Sequence, residues 1–395
     1  MKDVVIVSAK RTAIGSYLGA FVNVSAIELG TVAVKAAIEA AGIRPEQVDH
    51  VVLGNVLSAG LGQNPARQVA KLAGIPDEKT ASLVSMVCGS GLKAVMEAAN
   101  QIRTGEVDIV VAGGMESMSN AGHLLQSHRI GIKAGHAKLT DTMLCDGLTD
   151  AFGGFHMGIT AENLAKQYDI SRAEQDRFAL QSQNRAEAAI TSGRFKDEIA
   201  PVVIPSRKGD VVVDNDEFPR FDSSLGSISK PKPAFIKDGS GTVTAANSSG
   251  LNDGAAALVL MSKQKAAELK LQPLVEIVAQ ASAGVDPQTM GYAPVPASSK
   301  ALQNAGLNIR DIQLVEANEA FASQALAVTR GLDLDPSITN VNGGAIALGH
   351  PIGASGARIL VTLVNELVKR KQEHGLATLC IGGGQGVAVI VKRPN

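Results

Sequence analysis

The chain has 395 residues, with 37 Lys and Arg balanced by 38 Asp and Glu. It is too long for one comfortable core and lacks the basic surface or long like-charge run that nucleic-acid partners require. No stretch approaches the apolar length that spans a bilayer, the run Met1–Ser8 is too short and β-rich for a signal peptide, and three scattered cysteines make no disulfide framework. With 41 glycines, 3% aromatics and no Trp, the composition is that of an α/β enzyme from a reducing, cytoplasmic compartment, without membrane or nucleic-acid partners.

In chain order, short β-branched runs alternate with amphipathic stretches, which predicts a parallel or mixed sheet covered by helices on both faces. The first part reads as strand 4–8, helix 26–41, strand 48–56, strand 83–87, helix 92–103 and strand 109–113. Helix 26–41 carries Ile27, Val34, Ile38 and Ala41 at helical spacing and stops at Gly42. Residues 115–244 break the pattern and hold one long helix, from the capping box Ser171-Arg172-Ala173-Glu174 to about Gly193. The apolar run Gly254–Met261 then reads as a strand returning to the first sheet.

From Leu274 the order repeats: strand 274–279, helix 298–305, strand 312–317, strand 338–341, helix 354–369, and strands 378–381 and 387–391. Asn55 and Asn318 are 263 residues apart and Cys88 and His350 are 262 apart, the mark of an internal duplication. Both halves also run an apolar strand into paired glycines, at Ala112-Gly113-Gly114 and Ile381-Gly382-Gly383, which we read as turns. The expected organisation is an N-terminal half at 1–118 completed by about 250–270, an inserted loop domain at 119–249, and a C-terminal half at 271–395. Two similar halves about a pseudo-twofold would bring equivalent strand ends, and with them Cys88 and His350, toward a common crevice.

Cys88, in Val87-Cys88-Gly89-Ser90-Gly91, precedes a helix whose dipole and free N–H groups would favour a thiolate. The alternative is a buried small hydrophobe, as most free cysteines are. His350, between Gly349 and Pro351, could take a proton from Cys88, present an N–H to a thioester carbonyl, or cap the helix that follows. Cys380 stands before Gly382-Gly383-Gly384 and could act as a second acid/base, or join Cys88 and His350 around zinc, although metal-binding cysteines usually come in close pairs. Asn318, at a strand end, could fix a water or a carbonyl, and Cys145, with no partner motif, reads as structural. The glycine runs fit neither G-x-G-x-x-G nor G-K-[ST], and Gly353-Ala354-Ser355-Gly356-Ala357 lacks the final glycine of a serine-hydrolase elbow.

Together the segments Val87–Ala94, Gly113–Ser119, Asn318–Ala322, Asn342–Arg358 and Cys380–Gly386 resemble the thiolases, in their biosynthetic short-chain form, almost from end to end. The resemblance implies an α/β fold of two βαβαβαββ halves in an αβαβα sandwich with an inserted loop domain. It implies a ping-pong condensation of two acetyl-CoA molecules to acetoacetyl-CoA, with coenzyme A as substrate and product and neither metal nor bound cofactor. A degradative 3-ketoacyl-CoA thiolase of longer chain length would use the same residues, and a non-catalytic acyl-CoA binder would lack the nucleophile or base.

By the same resemblance, Cys88 is the nucleophile, His350 its base, Cys380 the second acid/base, and Asn318 the holder of an oxyanion-hole water. The N–H groups of Cys88 and Gly382 form the other oxyanion hole. His156, Met157, Arg220, Ser227, Phe235, Ala245, Ser249, Ala320 and Phe321 match positions along the coenzyme A path, and Met157 and Met290 fill the pocket beyond the acetyl group. Residues 120–141 correspond to the loop through which family members form homotetramers, as dimers of dimers.

Overall fold

The structure, a computed structural model, describes residues 1–394. Nine strands form the continuous path of its eleven-stranded main sheet: β1 (Val4–Thr12), β2 (His50–Gly54), β3 (Thr80–Val84), β4 (Ile109–Ser117), β5 (Asn252–Ser262), β6 (Val275–Gly284), β7 (Leu314–Ala317), β8 (His374–Ile381) and β9 (Gln385–Lys392), with the two-residue strands Gly15–Ser16 and Ile199–Ala200 pairing off β5 and β1. They run in space β7-β8-β9-β6-β1-β5-β4-β2-β3. The first half is therefore ordered third, second, fourth, fifth, first, and the second half repeats second, fourth, fifth, first. The halves join where β1 and β6 pair antiparallel through Val5 with Glu276 and Ile6 with Val275.

The expected strand 338–341 is absent, reduced to one parallel bridge between Val315 and Thr339. Two features prevent it from extending. Asn340 has a left-handed backbone (φ +47), and its side chain turns back to pair with Ala317 N and O.

Helices α1 (Ala26–Ala41) and α2 (Pro65–Leu72) cover the outside of the first half, packing Leu29, Val34 and Val69 on Val51, Val111 and Val259. A capping box between Ser25 and Glu28 starts α1, and Gly42 at φ +68 ends it. Helix α2 escaped the sequence reading because it has only two turns. Between the halves lie α3 (Ser90–Thr104) and, later in the chain, the helix Ile352–Arg370, whose apolar residues join strands of both halves in one core. The latter is buried around most of its circumference, as a central layer must be.

The inserted residues between β4 and β5 supply α4 (Met157–Gln167) and α5 (Arg172–Thr191). The insertion is tied to β1 by Arg11, which is fully buried and donates to Glu198 at 2.7 Å and to both oxygens of Asp216 at 2.7 and 2.9 Å. The outer face of the second half is covered by α6 (Pro294–Ala305) and α7 (Ala322–Leu332). We name the central helix Ile352–Arg370 α8.

The paired glycines of the first half do not form a turn. Gly113 and Gly114 lie inside β4, where a Cβ on Gly113 would sit 2.0 Å from Ala256 O and one on Gly114 2.2 Å from Gly353 O. They are glycines because β5 and the start of α8 approach the strand at backbone distance. Gly54 and Gly91 meet the same constraint: a Cβ on Gly54 would lie 2.5 Å from Gly91 N, and one on Gly91 2.8 Å from Ala357 N. Helices α3 and α8 thus touch peptide to peptide near their N-termini, the ends that follow Cys88 and His350. Gly114→Ala should lower the unfolding free energy by about 3 kcal/mol, since the obstructing atom is backbone and cannot rotate away. A urea midpoint equal to that of the wild type would contradict this packing.

Candidate active site

Cys88 lies four residues beyond β3, which ends at Val84 rather than at Val87. The turn between them is held by the Ser90 hydroxyl, which accepts from Met86 N at 2.8 Å and donates to Val87 O at 2.7 Å. Val87 sits at φ +44, a strained conformation for a β-branched residue, and it aims the next side chain out of the strand direction. Cys88 is 8% exposed, and the backbone N–H groups of Cys88 and Gly382 lie beside its sulfur. Gly382 follows β8 on the Gly382-Gly383-Gly384 turn, in which Gly383 and Gly384 both have φ +84.

The thiolate expected at the helix N-terminus is not the resting form. Burial pushes the Cys88 thiol up to about 11, and the nearby Glu116 carboxylate adds to the rise, outweighing the two N–H donors. Burial also raises the Cys380 thiol, helped by the proximity of Cys88. Cys380 ends β8 fully buried, among Met157, Met290, Ala320 and Phe321.

His350 is 5% exposed, and its ring is oriented from behind. Nδ1 lies 2.6 Å from Ser355 Oγ, and Ser355 Oγ donates its one proton to Pro351 O at 2.9 Å. The serine therefore accepts from Nδ1–H, which leaves Nε2 as the lone-pair nitrogen, and Nε2 has no hydrogen-bond partner. Burial, reinforced by the Arg358 guanidinium, lowers the imidazole to about 4. At neutral pH the residue is a neutral base with Nε2 free. Its backbone N–H donates at 2.9 Å to Asn252 Oδ1, while Asn252 Nδ2 donates to Gly15 O. The helix-capping alternative fails because Pro351, not His350, is the N-cap of α8.

Asn318 follows β7 and is 2% exposed, with its N–H donating to Thr378 O two residues before Cys380. Both polar atoms of its side chain are buried without a partner. Beside these groups, Glu116 gathers Asn55 Nδ2 and the N–H groups of Val56, Leu57 and Gly353 at 2.7–3.2 Å. Burial pushes its carboxyl up to about 7, but four donors and no acceptor facing it require the ionised form. It joins the loop after β2 to α8, whose N-cap Pro351 offers no side-chain acceptor.

Sequence reasoning gave no role to Ser355, Asn252 or Glu116. Of these, only Ser355 was legible, as a hydroxyl five residues after the histidine at the start of a helix. Among the described residues no three His, Cys, Asp or Glu side chains converge as metal ligands.

A cavity of about 700 Å³ opens at this point, lined on one side by Val87, Gly382 and Gln385 and on the other by Cys145, Phe152 and Met157. Cys145 is therefore an exposed wall residue and not the structural one expected from its sequence. His156 N-caps α4, accepts from Gly158 N at 3.0 Å through Nδ1 and stacks on Phe235 with centroids 4.7 Å apart. Phe235 meets Phe321 edge-on, Ser249 N donates to Ala320 O, and Met157, Ala320, Phe321 and the half-buried Phe235 pack in one cluster with Cys380. Arg220, Ser227 and Ala245 lie further out, exposed on the insertion. Ile228 and Ala246, next to Ser227 and Ala245, share a small core with Ala322.

Family models described as the thiolase N-terminal and C-terminal domains match residues 4–264 and 271–393. The chain belongs to the thiolase family. This thiolase is 60% identical over 391 residues to an acetyl-CoA acetyltransferase of Rhizobium meliloti, with 99% of each chain covered. It is 59% identical over 394 residues to one of Cupriavidus necator, with 100% of each covered. Its structure superposes on that of the Bacillus anthracis acetyl-CoA acetyltransferase with a TM-score of 0.97, at 46% identity and 100% and 99% coverage. The Syntrophomonas wolfei enzyme gives 0.98 at 45% identity, covering 100% of both chains. The duplicated sandwich expected from the sequence is the fold of this thiolase.

The resting protonation states have a direct chemical readout. Alkylation of Cys88 by iodoacetamide in the substrate-free enzyme should rise about tenfold per pH unit from 7 to 9, following a thiol titrating near 11. A rate already level at pH 8 would show that the sulfur is ionised at rest.

Proposed function

We propose that this protein is an acetyl-CoA C-acetyltransferase that condenses two acetyl-CoA molecules to acetoacetyl-CoA and coenzyme A, and catalyses the reverse thiolysis. The observation that carries the reading is that two buried thiols, Cys88 and Cys380, stand close together, while α8, whose start follows His350 with its free Nε2, packs backbone to backbone on α3, whose start follows Cys88.

Cys88 Sγ attacks the thioester carbonyl as its proton passes to His350 Nε2. Both resting shifts oppose a standing ion pair, so the proton moves as the S–C bond forms. The carbonyl oxygen becomes an oxyanion facing Cys88 N–H and Gly382 N–H, donors already fixed by the turn. Collapse expels the coenzyme A thiolate, which takes the Cys380 proton and leaves acetyl-Cys88 with a Cys380 thiolate.

A second acetyl-CoA then loses a methyl proton to Cys380. Its C–H electron pair moves onto the thioester oxygen, held by His350 Nε2–H and an Asn318-bound water. The resulting carbanion attacks acetyl-Cys88, the C–S bond breaks, and Cys88 recovers its proton from His350. The protons balance: the methyl proton stays on Cys380, and the proton first on Cys380 leaves with coenzyme A.

Met157 and Met290, packed around Cys380, limit the acyl group to short chains. The pantetheine follows His156, Phe235, Ser249, Ala320 and Phe321, and the nucleotide end lies by Arg220, Ser227 and Ala245. The enzyme works in the cytoplasm, in the lipid-precursor chemistry that uses acetoacetyl thioesters. Residues 123–125 and 139–141 form a hairpin carrying exposed Ile130 and Leu139, which would be covered in a homotetramer of two dimers.

Incubation with acetyl-CoA alone should add one acetyl group to the Cys88 peptide, removable by added coenzyme A and absent in Cys88→Ala. A folded, unlabelled wild type would reject the mechanism. Light scattering should give four times the chain mass, falling to two with Ile130→Asp and Leu139→Asp; a monomeric wild type would reject the assembly.

A further inference from the structure

Of the groups assigned to the enolate step, Asn318 is the least restrained. Neither atom of its amide has a hydrogen-bond partner, although the residue is 2% exposed. A buried amide is useful to a water or a substrate only if its own backbone holds it still. His350 is fixed separately, by Ser355 on its ring and Asn252 on its backbone. Asn318 has one backbone tie, to Thr378 O, and a neighbour with an unusual environment.

That neighbour, Glu319, is 2% exposed and aimed away from the crevice. Its Oε2 accepts from Ser182 Oγ at 2.6 Å and Ile346 N at 3.2 Å, and its Oε1 from Asn340 Nδ2 at 2.9 Å. Ser182 in turn accepts from Gly344 N at 3.0 Å. A Cβ on Gly344 would lie 2.1 Å from Glu319 Cδ, so the glycine is needed to admit the carboxylate.

Asn340 closes the circuit. It spends Oδ1 on Ala317 N and Nδ2 on both Ala317 O and Glu319, so it grips the residues on either side of Asn318. Its amide cannot flip without losing the bonds to Ala317. Three donors converge on the carboxylate from α5, from the 340 loop and from the turn leading to His350, and all three require an acceptor.

We propose that Glu319 is a positioning residue for the enolate step, holding Asn318 in place through a carboxylate clamp that joins the inserted segment to the second half. The proposal rests on the acetyltransferase reading above, and it separates the two half-reactions. Transfer of the acetyl group to Cys88 uses His350, Cys88 N–H and Gly382 N–H; of these the clamp reaches only the turn before His350, through Ile346 N, and the His350 ring and N–H are held separately by Ser355 and Asn252. Loss of the methyl proton uses Asn318.

Glu319→Gln keeps the volume but turns one acceptor into an NH₂ group, facing either Asn340 Nδ2 or the Ser182 and Ile346 donors. The test follows two rates in the same preparation: acetylation of Cys88 by acetyl-CoA in a single turnover, and exchange of the acetyl-CoA methyl protons in D₂O. Glu319→Gln should slow exchange about 10- to 100-fold, by analogy with the loss seen when the groups that orient metal ligands from behind are removed, while acetylation and the KM for acetyl-CoA stay within about threefold.

Should Glu319→Gln fail to fold, Ser182→Ala removes one donor, leaves the carboxylate in place, and should bias the same step in the same direction. Equal loss in both steps, or unchanged exchange in folded protein, would overturn the proposal. A wild type that neither acetylates nor exchanges would instead overturn the acetyltransferase reading.

Discussion

The geometry of the site depends on one contact: helices α3 and α8 meeting peptide against peptide between the two halves. A Cβ on Gly91 of α3 would lie 2.8 Å from Ala357 N and one on Gly356 of α8 2.5 Å from Leu92 N, while Gly54 and Gly114 let β2 and β4 reach the same two helices at backbone distance. Close packing normally adjusts by changing rotamers, but backbone has none to change. The N-termini of the two helices are therefore fixed relative to each other, and so are the residues just ahead of them, Cys88 and His350. Glu116 locks the contact by joining Asn55 in one half to Gly353 in the other.

Burial then sets the chemistry. Both thiols are raised, the imidazole is lowered, and each group is neutral before substrate arrives. A neutral site can stay dry and buried without a counter-ion, and its N–H donors wait for a charge that exists only during reaction. Glu116 keeps its charge because four N–H groups replace its hydration, which is the condition for leaving a carboxylate in a core. The three arms of the site are oriented by separate means: Ser90 and a strained Val87 for Cys88, Ser355 and Asn252 for His350, and Glu319 for Asn318.

The duplication, most element positions and the motif residues were legible because they rest on local periodicity and on glycine punctuation, both written along one stretch of chain. The strand expected at 338–341 failed because Ile338 is apolar for burial with residues of α7 and β7 and Val341 for burial against the central core, not for pairing, and Asn340 interrupts the extended run. Gly113 and Gly114 read as a turn because a glycine admitting a neighbouring backbone looks the same in sequence as one that bends. The Cys88 prediction went wrong on magnitude: a helix N-terminus and two N–H donors are visible as spacing, whereas the desolvation that outweighs them depends on residues hundreds of positions away. Asn252 and Ser182 were invisible for the same reason, since each serves a residue far along the chain.

The cavity over Cys88 has two walls of different origin. Val87, Gly382 and Gln385 come from the duplicated scaffold, where the glycine contacts leave almost no latitude, while Cys145, Phe152 and Met157 come from the insertion, where Cys145 and Phe152 face open space and Met157 packs toward Cys380. Reactivity and selectivity are thus encoded in separable stretches of one polypeptide. The first cannot drift without breaking the interlock of the halves, and the second can be rewritten residue by residue, so this architecture can acquire new acyl preferences without relearning how to form a carbon–carbon bond.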